Sequence, residues 1–192
     1  LALRKRLIKN ELCLLLLSKG TPYLFMSDEA GGTQQGNNNP YCQDNEVSWV
    51  SWRPTHFREE LFAFAKKLLE IRKSYPCITE QPKGLRSEGK KSGYPELSFH
   101  GEEAFRPDFM SYSRQVGIYF NGDCYGCDGL YIALNMHWRS HRFALPPERQ
   151  GEMEILINTH EEASRIVTDE EGKRYLVVPD RTVCVLSCKQ KE

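Results

Sequence analysis

No stretch of this sequence stays apolar for long. The longest run, Leu12 to Leu17, is far short of the roughly 20 residues that a membrane-spanning helix needs. No small-residue cleavage site follows it, so it does not read as a secretory signal. A surplus of either charge is also missing: Lys and Arg number 26 and Asp and Glu 26. That balance argues against a nucleic-acid partner, which would call for a basic excess. Regular cysteine spacing is absent too. The seven cysteines stand at 13, 42, 77, 124, 127, 184 and 188, an odd number scattered through a chain long enough to build its own core. They read as thiols kept in a reducing, cytoplasmic compartment. There is no internal repeat and no initiating methionine. Leu1 opens inside a helical pattern without a cap, so the expectation is a piece of a longer chain.

What is present is an ordinary globular composition, 40% hydrophobic and 27% charged. From Leu1 to Lys19, leucines at 3, 7, 12, 14, 15 and 16 alternate with basic residues, which predicts a helix stopped by Gly20. After Thr21-Pro22 the short apolar string Tyr23-Leu24-Phe25-Met26 suits a strand buried on both faces. Residues 27–56 break every periodicity, yet Tyr41, Trp49 and Trp52 argue for an anchored loop. A second helix is predicted over Phe57 to Tyr75, with Leu61, Phe64, Ala65, Leu68, Leu69 and Arg72 at spacings of three and four, closed by Pro76.

Beyond Cys77 the texture changes to short β-rich runs: Glu96 to His100, Val116 to Asn121, Leu130 to His137, Met153 to Asn158, Ile166 to Thr168, Tyr175 to Val178 and Thr182 to Ser187. Turn residues separate them, which predicts an antiparallel sandwich with the nearly all-apolar run from Leu130 at its centre. Pro82 to Arg114 otherwise reads as a long surface connection. This half is expected to be the stable unit, with a core that needs nothing from the first.

The most informative segment is Gln35-Gly36-Asn37-Asn38-Asn39-Pro40-Tyr41-Cys42-Gln43-Asp44-Asn45. Amides donate and accept, carboxylates accept bidentately, and aromatic rings offer flat faces. Sugars, with paired hydroxyls around a ring of apolar faces, are recognised by this mixture. A polar loop that only hydrogen-bonds itself into place has the same composition, and both readings stand. Cys124-Tyr125-Gly126-Cys127 has metal-ligand spacing, and Cys184 and Cys188 could complete a set of four. With no second pair at that spacing and Cys184 in an apolar run, the expectation is no metal and no cofactor. His137 and His141 read as hydrogen-bonded polar side chains beside Trp138 rather than ligands.

The string from Gly20-Thr21-Pro22-Tyr23 through Ser27-Asp28-Glu29 and on to Asn45-Glu46-Val47-Ser48-Trp49 resembles the isoamylase-type glycogen debranching enzymes of the alpha-amylase superfamily, glycoside hydrolase family 13. The resemblance continues through Gly93-Tyr94-Pro95-Glu96-Leu97-Ser98-Phe99-His100-Gly101-Glu102 and Asn135-Met136-His137-Trp138. Two points depart from the family pattern. Ser27 stands where a glycine is usual, and Ala30-Gly31-Gly32 replaces an aromatic-glycine-arginine segment.

The resemblance implies an α+β chain: the last helix–strand–helix portion of a (β/α)8 barrel over residues 1–77, then an antiparallel β-sandwich C-terminal domain over 78–192. The loop after the strand would lie at the barrel's C-terminal mouth, where barrel enzymes build their sites. Family members are retaining hydrolases with two carboxyl groups about 5 Å apart. Those groups and a third aspartate come from barrel strands four, five and seven, all before Leu1. The resemblance therefore implies no catalytic residue in this chain. Asn38, Tyr41, Gln43, Asp44 and Asn45 would line or support subsites for α-glucan, glycogen or limit dextrin, and Asp28 and Glu29 would buttress the site. No nucleic-acid or membrane partner is expected. A barrel strand without its neighbours would be exposed, so self-association through it, or recruitment of another strand, is expected. A different class of function, an autonomous carbohydrate-binding module, would need exposed platforms on the sandwich, with Tyr119, Phe120, Trp138 and Phe143 the candidates.

Overall fold

A computed structural model describes residues 2–80, 94–146 and 152–189. Three helices, α1 (Ala2–Leu16), α2 (His56–Ser74) and α3 (Pro76–Thr79), precede eight strands. These are β1 (Leu97–His100), β2 (Gln115–Phe120), β3 (Gly129–Asn135), β4 (His141–Ala144), β5 (Met153–Asn158), β6 (Arg165–Thr168), β7 (Arg174–Val178) and β8 (Thr182–Cys188). They form an antiparallel five-stranded sheet ordered β1-β2-β3-β8-β5 and a three-stranded sheet ordered β4-β7-β6. All seven β-rich runs in the sequence lie on strands. β4 was not expected; it is four residues of mixed polarity, too short to show an alternation.

The five-stranded sheet lies between the helices and the smaller sheet. β3 is buried along its whole length, which explains its continuous apolar sequence. Leu130, Ile132 and Leu134 face the helices, whereas Tyr131 and Ala133 face the second sheet beside Phe143, Leu176 and Val178. Alternation persists, but both faces are dry. Asn135 at the end of β3 joins the two sheets, its amide donating to the carbonyls of Val178 (3.1 Å) and Pro179 (2.8 Å).

The expectation that the β-rich half has a self-sufficient core is corrected. Leu12, Cys13, Leu16 and Leu17 from the first helical segment, with Ala65, Leu68 and Ile71 of α2, share one core with Ile132, Val183 and Val185. Polar pins fix the contact. Asn10, buried in α1, donates to the Arg181 carbonyl at 2.9 Å and accepts from Thr159 Oγ1 at 2.5 Å, and that hydroxyl accepts from the Val183 N–H.

A second correction concerns Tyr23 to Met26, which forms no strand. Residues 21–25 run as irregular chain, and among the described residues no strand pairs with them. Asp28 satisfies Phe25 on both sides: its Oδ2 accepts the Phe25 N–H at 3.0 Å, and its own N–H donates to the Phe25 carbonyl. Leu24 packs toward the shared core, while Tyr23 is 79% exposed and Phe25 and Met26 are open to solvent. The long connection expected over Pro82 to Arg114 holds β1, and residues 81–93 of it lie outside the described residues.

Helix ends follow their sequence signals with one addition. Thr55 caps α2, its hydroxyl accepting the Arg58 N–H at 3.3 Å, and Pro76 opens α3 as its first residue. α1 ends at Leu16, before the expected Lys19, and its last carbonyls would be orphaned in a buried setting. Arg72 of α2, only 9% exposed, donates to the Leu16 and Ser18 carbonyls at 2.7 Å each, and to that of Gly20. A guanidinium suits this place because its forked donors reach several carbonyls and its charge complements the negative end of a helix.

Replacing Arg72 with Met leaves those carbonyls unpaired and is expected to cost about 3 kcal/mol. Urea denaturation checks this through the transition midpoint. Arg72→Lys should recover only part of the loss, since one ammonium cannot span three acceptors; full recovery would contradict the forked role.

Candidate amide-lined cleft

The loop between α1 and α2 folds back on itself through its own amides. Asn37 Nδ2 donates to Gln43 Oε1 (3.0 Å), while Asn37 Oδ1 accepts the Asn39 N–H (2.9 Å). Gln43 Nε2 donates to the Asn39 carbonyl at 3.1 Å. Further along, Asn45 Oδ1 accepts the Val47 N–H at 3.0 Å and Asp44 Oδ1 accepts Trp49 Nε1–H at 2.7 Å. Three of these are short-range side-chain-to-backbone closures, the bonding that Asn, Asp and Ser favour over helix or sheet, and the Asn37–Gln43 and Trp49–Asp44 bonds join side chains.

Positive φ angles concentrate in this loop. Ser27 (76°), Gln35 (54°) and Cys42 (63°) are non-glycine residues in left-handed conformation. Each sits about 1 kcal/mol or more above a glycine in the same place. The family's usual glycine at position 27 thereby has a physical reason. Gly31 (φ 66°) meets a second demand, because a Cβ there would press into Leu61 and Phe57 of α2. Through it the Asp28–Ala30 turn seats on α2.

The folded loop encloses a cleft of about 970 Å³. Its walls come from the 25–28 turn, the 32–40 arm and the 46–53 arm, with Arg58 from the first turn of α2. Asn38 and Asp28 of the candidate residues line it. Tyr41, Gln43, Asp44, Asn45 and Glu29 do not. Gln43, Asp44 and Asn45 act from behind, holding the arms through the bonds above. Tyr41 is 83% exposed and points away from the lining.

Trp49, Arg53 and Arg58 line the cleft as well. Trp49 reads in the sequence as an anchor, and its indole N–H is indeed tied to Asp44, but its ring also faces the cavity. Nothing in the spacing of Arg53 and Arg58 sets them beside Asn38, because the loop's return path decides that. Chemically, the cleft offers amide and hydroxyl hydrogen-bonding groups, two guanidinium groups and one indole face, a set suited to a polyhydroxylated ligand.

Elsewhere the candidate groups behave as structure. Tyr119, Phe120 and Phe143 are at most 5% exposed and belong to the two cores. Of the four proposed sandwich platforms only Trp138 is exposed, and His137 stacks on it at 4.1 Å. The two histidines also depart from expectation. Their rings lie 4.7 Å apart, and His137 Nδ1 and His141 Nε2 are buried without a hydrogen-bond partner among the described residues. Cys184 and Cys188 are buried between the sheets. Among the described residues no group of three or more His, Cys, Asp or Glu could hold a metal ion. No helix among them is long and apolar enough to cross a membrane.

No protein-family model matches the chain. Individual proteins do. A glycogen debranching enzyme of Pectobacterium carotovorum is 41% identical over 144 residues, covering 71% of this chain and 21% of its own length. The chloroplastic isoamylase SU1 of Zea mays is 29% identical over 185 residues, covering 95% of this chain and 21% of its own. The chain is a relative of the isoamylase-type glycogen debranching enzymes. It spans about a fifth of the length of the curated relatives it matches. A solved pullulanase from Paenibacillus barengoltzii, in complex with maltohexaose and alpha-cyclodextrin, superposes with a TM-score of 0.66 at 22% identity, over 95% of this chain and 25% of that one. At that identity the likeness shows the fold alone: helices first and antiparallel sheets after.

For this debranching-enzyme relative, the loop's internal bonds make a separable expectation. Gln43→Ala removes both the tie to Asn37 and the tie to Asn39, and should speed proteolytic cleavage within residues 30–50 by about tenfold, as for a loss near 1.4 kcal/mol of local stability. Asn38→Ala, which touches neither tie, should leave the cleavage rate of limited proteolysis unchanged.

Proposed function

We propose that the chain is the C-terminal segment of a retaining α-1,6-glucosidase that removes branches from glycogen or limit dextrin in the cytoplasm. In this reading residues 1–77 are the last helix–strand–helix of its (β/α)8 barrel and residues 78–192 its sandwich. The segment closes the barrel and shapes the glucan groove, but has no hydrolytic activity alone. Asn38 faces the glucan directly, Tyr41 serves as an outer contact, and Gln43, Asp44 and Asn45 hold the loop in its binding shape. Asp28 and Glu29 support the site from the short turn seated on α2.

The observation that carries the reading is the cleft itself. It is an amide-walled cavity, in a chain that matches about a fifth of the length of a glycogen debranching enzyme, and of its two lining carboxylates, Asp28 and Glu46, Asp28 is held by its own turn. A retaining hydrolase needs a nucleophile and an acid facing each other across a bond. A carboxylate accepting from the Phe25 backbone is poorly placed for either task.

The chain is therefore expected to release no reducing ends from amylopectin above the enzyme-free blank, and to give no saturable heat when maltoheptaose is titrated in. Hydrolysis by the chain alone would overturn the reading. Saturable binding without hydrolysis would favour the autonomous module.

Self-association belongs to the same reading. Exposed Tyr23, Phe25 and Met26, on a segment that no strand among the described residues pairs, suit contact with a second copy. Light scattering is expected to give a mass above that of one chain, and Phe25→Asp to return it to one chain. A monomer at all concentrations would contradict this part.

A further inference from the structure

Two arginines reach the amide-lined cleft from one side. The end of the 46–53 arm folds back on the first turn of α2, where Arg58 donates from Nη1 to the Ser51 carbonyl. The Arg53 N–H donates to Ser51 Oγ at 3.5 Å. Ser51, Arg53 and Arg58 all line the cavity, so the local fold sets both guanidinium-bearing residues on a single wall. Trp49 lies along the same arm, its indole held by Asp44.

Neither arginine is neutralised by a carboxylate. Asp28 and Glu46 line the cleft as well, but no ion pair joins either of them to Arg53 or Arg58. Arg6 and Arg106, by contrast, pair with Asp180 and Glu103. Arg53 is exposed, and its guanidinium has no hydrogen-bond partner among the described residues. Arg58 is half-buried and ties only one of its five N–H donors to Ser51. A neutral glucan has no use for this pair of charges, since Asn38, Ser48 and Trp49 already offer an amide, a hydroxyl and a ring face. A guanidinium fork instead matches an anion that presents several oxygens at once, and phosphate does so bidentately.

We propose that the cleft takes a glucose residue carrying a phosphate monoester, with Arg53 and Arg58 on the phosphoryl oxygens and Trp49 and Asn38 on the sugar. This rests on the reading of the cleft as a glucan site and names the substituted unit that it accepts. The volume of about 970 Å³ stands at the upper end of small-molecule sites, roughly 300–1,000 Å³, and leaves room for sugar and phosphate together. Asp28 and Glu46 offset the two positive charges over the cleft as a whole. An anion without a sugar body therefore gains little there, and selectivity falls on the two groups joined. The same chemistry is carried by a phosphorylated glucan and by a free sugar phosphate. Both arginines stay charged, whereas a phosphate monoester loses its second proton near pH 6, so affinity rises as the pH goes from about 5 to about 7.

The test titrates the isotope-labelled full chain and follows the Trp49 Nε1–H and Arg58 Nε–H resonances. The probes are inorganic phosphate, glucose phosphorylated at its primary hydroxyl, maltoheptaose, and maltoheptaose phosphorylated at one primary hydroxyl. Both phosphorylated sugars are expected to shift the two resonances saturably, at least about tenfold more tightly than inorganic phosphate, and maltoheptaose to leave them in place. Tighter binding by the phosphorylated maltoheptaose assigns the group to the glucan, and equal binding assigns it to the free sugar phosphate. Arg53→Gln should weaken both about tenfold without disturbing the loop, because that side chain makes no bond within the chain. Arg58→Gln should do the same, with limited proteolysis checking the loop once the Ser51 tie is gone. Arg142→Gln, on β4 against Tyr175, should keep full affinity. No shift with either phosphorylated sugar would overturn the proposal. So would equal affinity for inorganic phosphate, the same shifts from unmodified maltoheptaose, or full affinity in Arg53→Gln. A silent titration with the phosphorylated sugars leaves the debranching reading standing, and release of reducing ends from amylopectin would overturn that reading without touching this one.

Discussion

The helical layer rests on a buried arginine with carbonyl partners. α1 ends with Leu16 and Leu17 buried in the shared core, and the exposed residues Ser18 to Gly20 then lead toward the loop. Arg72 supplies forked donors to Leu16, Ser18 and Gly20 and so allows that end to be buried. Without it the buried Leu16 carbonyl would lose its partner, at roughly 1–3 kcal/mol, and the half-buried Ser18 and Gly20 bonds would be lost with it. α1 would lose its fixed seat on the sheet, and with it the starting point of the cleft-forming loop. Asn10, midway along α1, pins the helix to the sheet through Arg181 and Thr159, whose hydroxyl also accepts the Val183 N–H. The apolar contacts between them decide that the layers meet, and these polar contacts decide how.

The loop's amides act first on the loop itself. Asn37, Asn39, Gln43, Asp44 and Asn45 satisfy backbone or side-chain partners inside the loop, and they fix a shape that includes left-handed Ser27, Gln35 and Cys42. Asn38 and Trp49 then face the cavity that this shape creates. A ligand that meets a preorganised wall loses less free energy to ordering than one that must assemble it.

The five-stranded sheet is a mediator between layers. Its apolar face toward the helices and its apolar face toward the smaller sheet leave β3 and β8 buried on both sides. Buried polar groups on that inner plane are therefore satisfied by specific partners. Asn135 reaches across to Val178 and Pro179. His100 keeps Nδ1 as acceptor for the Phe105 N–H and lies 2.9 Å from Ser98 Oγ, with burial pushing its pKa down to about 4. A neutral imidazole among the rings of Phe105, Tyr119 and Tyr131 is the form a dry interior tolerates.

Local patterns fixed much of this architecture. Apolar spacing from Leu61 to Arg72 and Pro76 after it defined α2 within a residue or two, while the Thr55 cap came to light only in the structure. The β-rich runs became strands because alternation and turn residues act over a few positions and survive any context. The amide string marked the candidate cleft for the same reason. What the sequence could not reveal is what depends on partners far along the chain. Tyr23 to Met26 has a strand's composition, but a strand exists only through hydrogen bonds to a neighbour, and no neighbour is paired there. Arg72 occupies an apolar-face position whose role follows from where α1 ends. The choice of Asn38 over Tyr41 as cleft lining, and of Arg53 and Arg58 as its companions, was made by the loop's return path. Local residue chemistry sets which elements can form; only tertiary packing, which must satisfy every buried polar group at once, decides which of them meet.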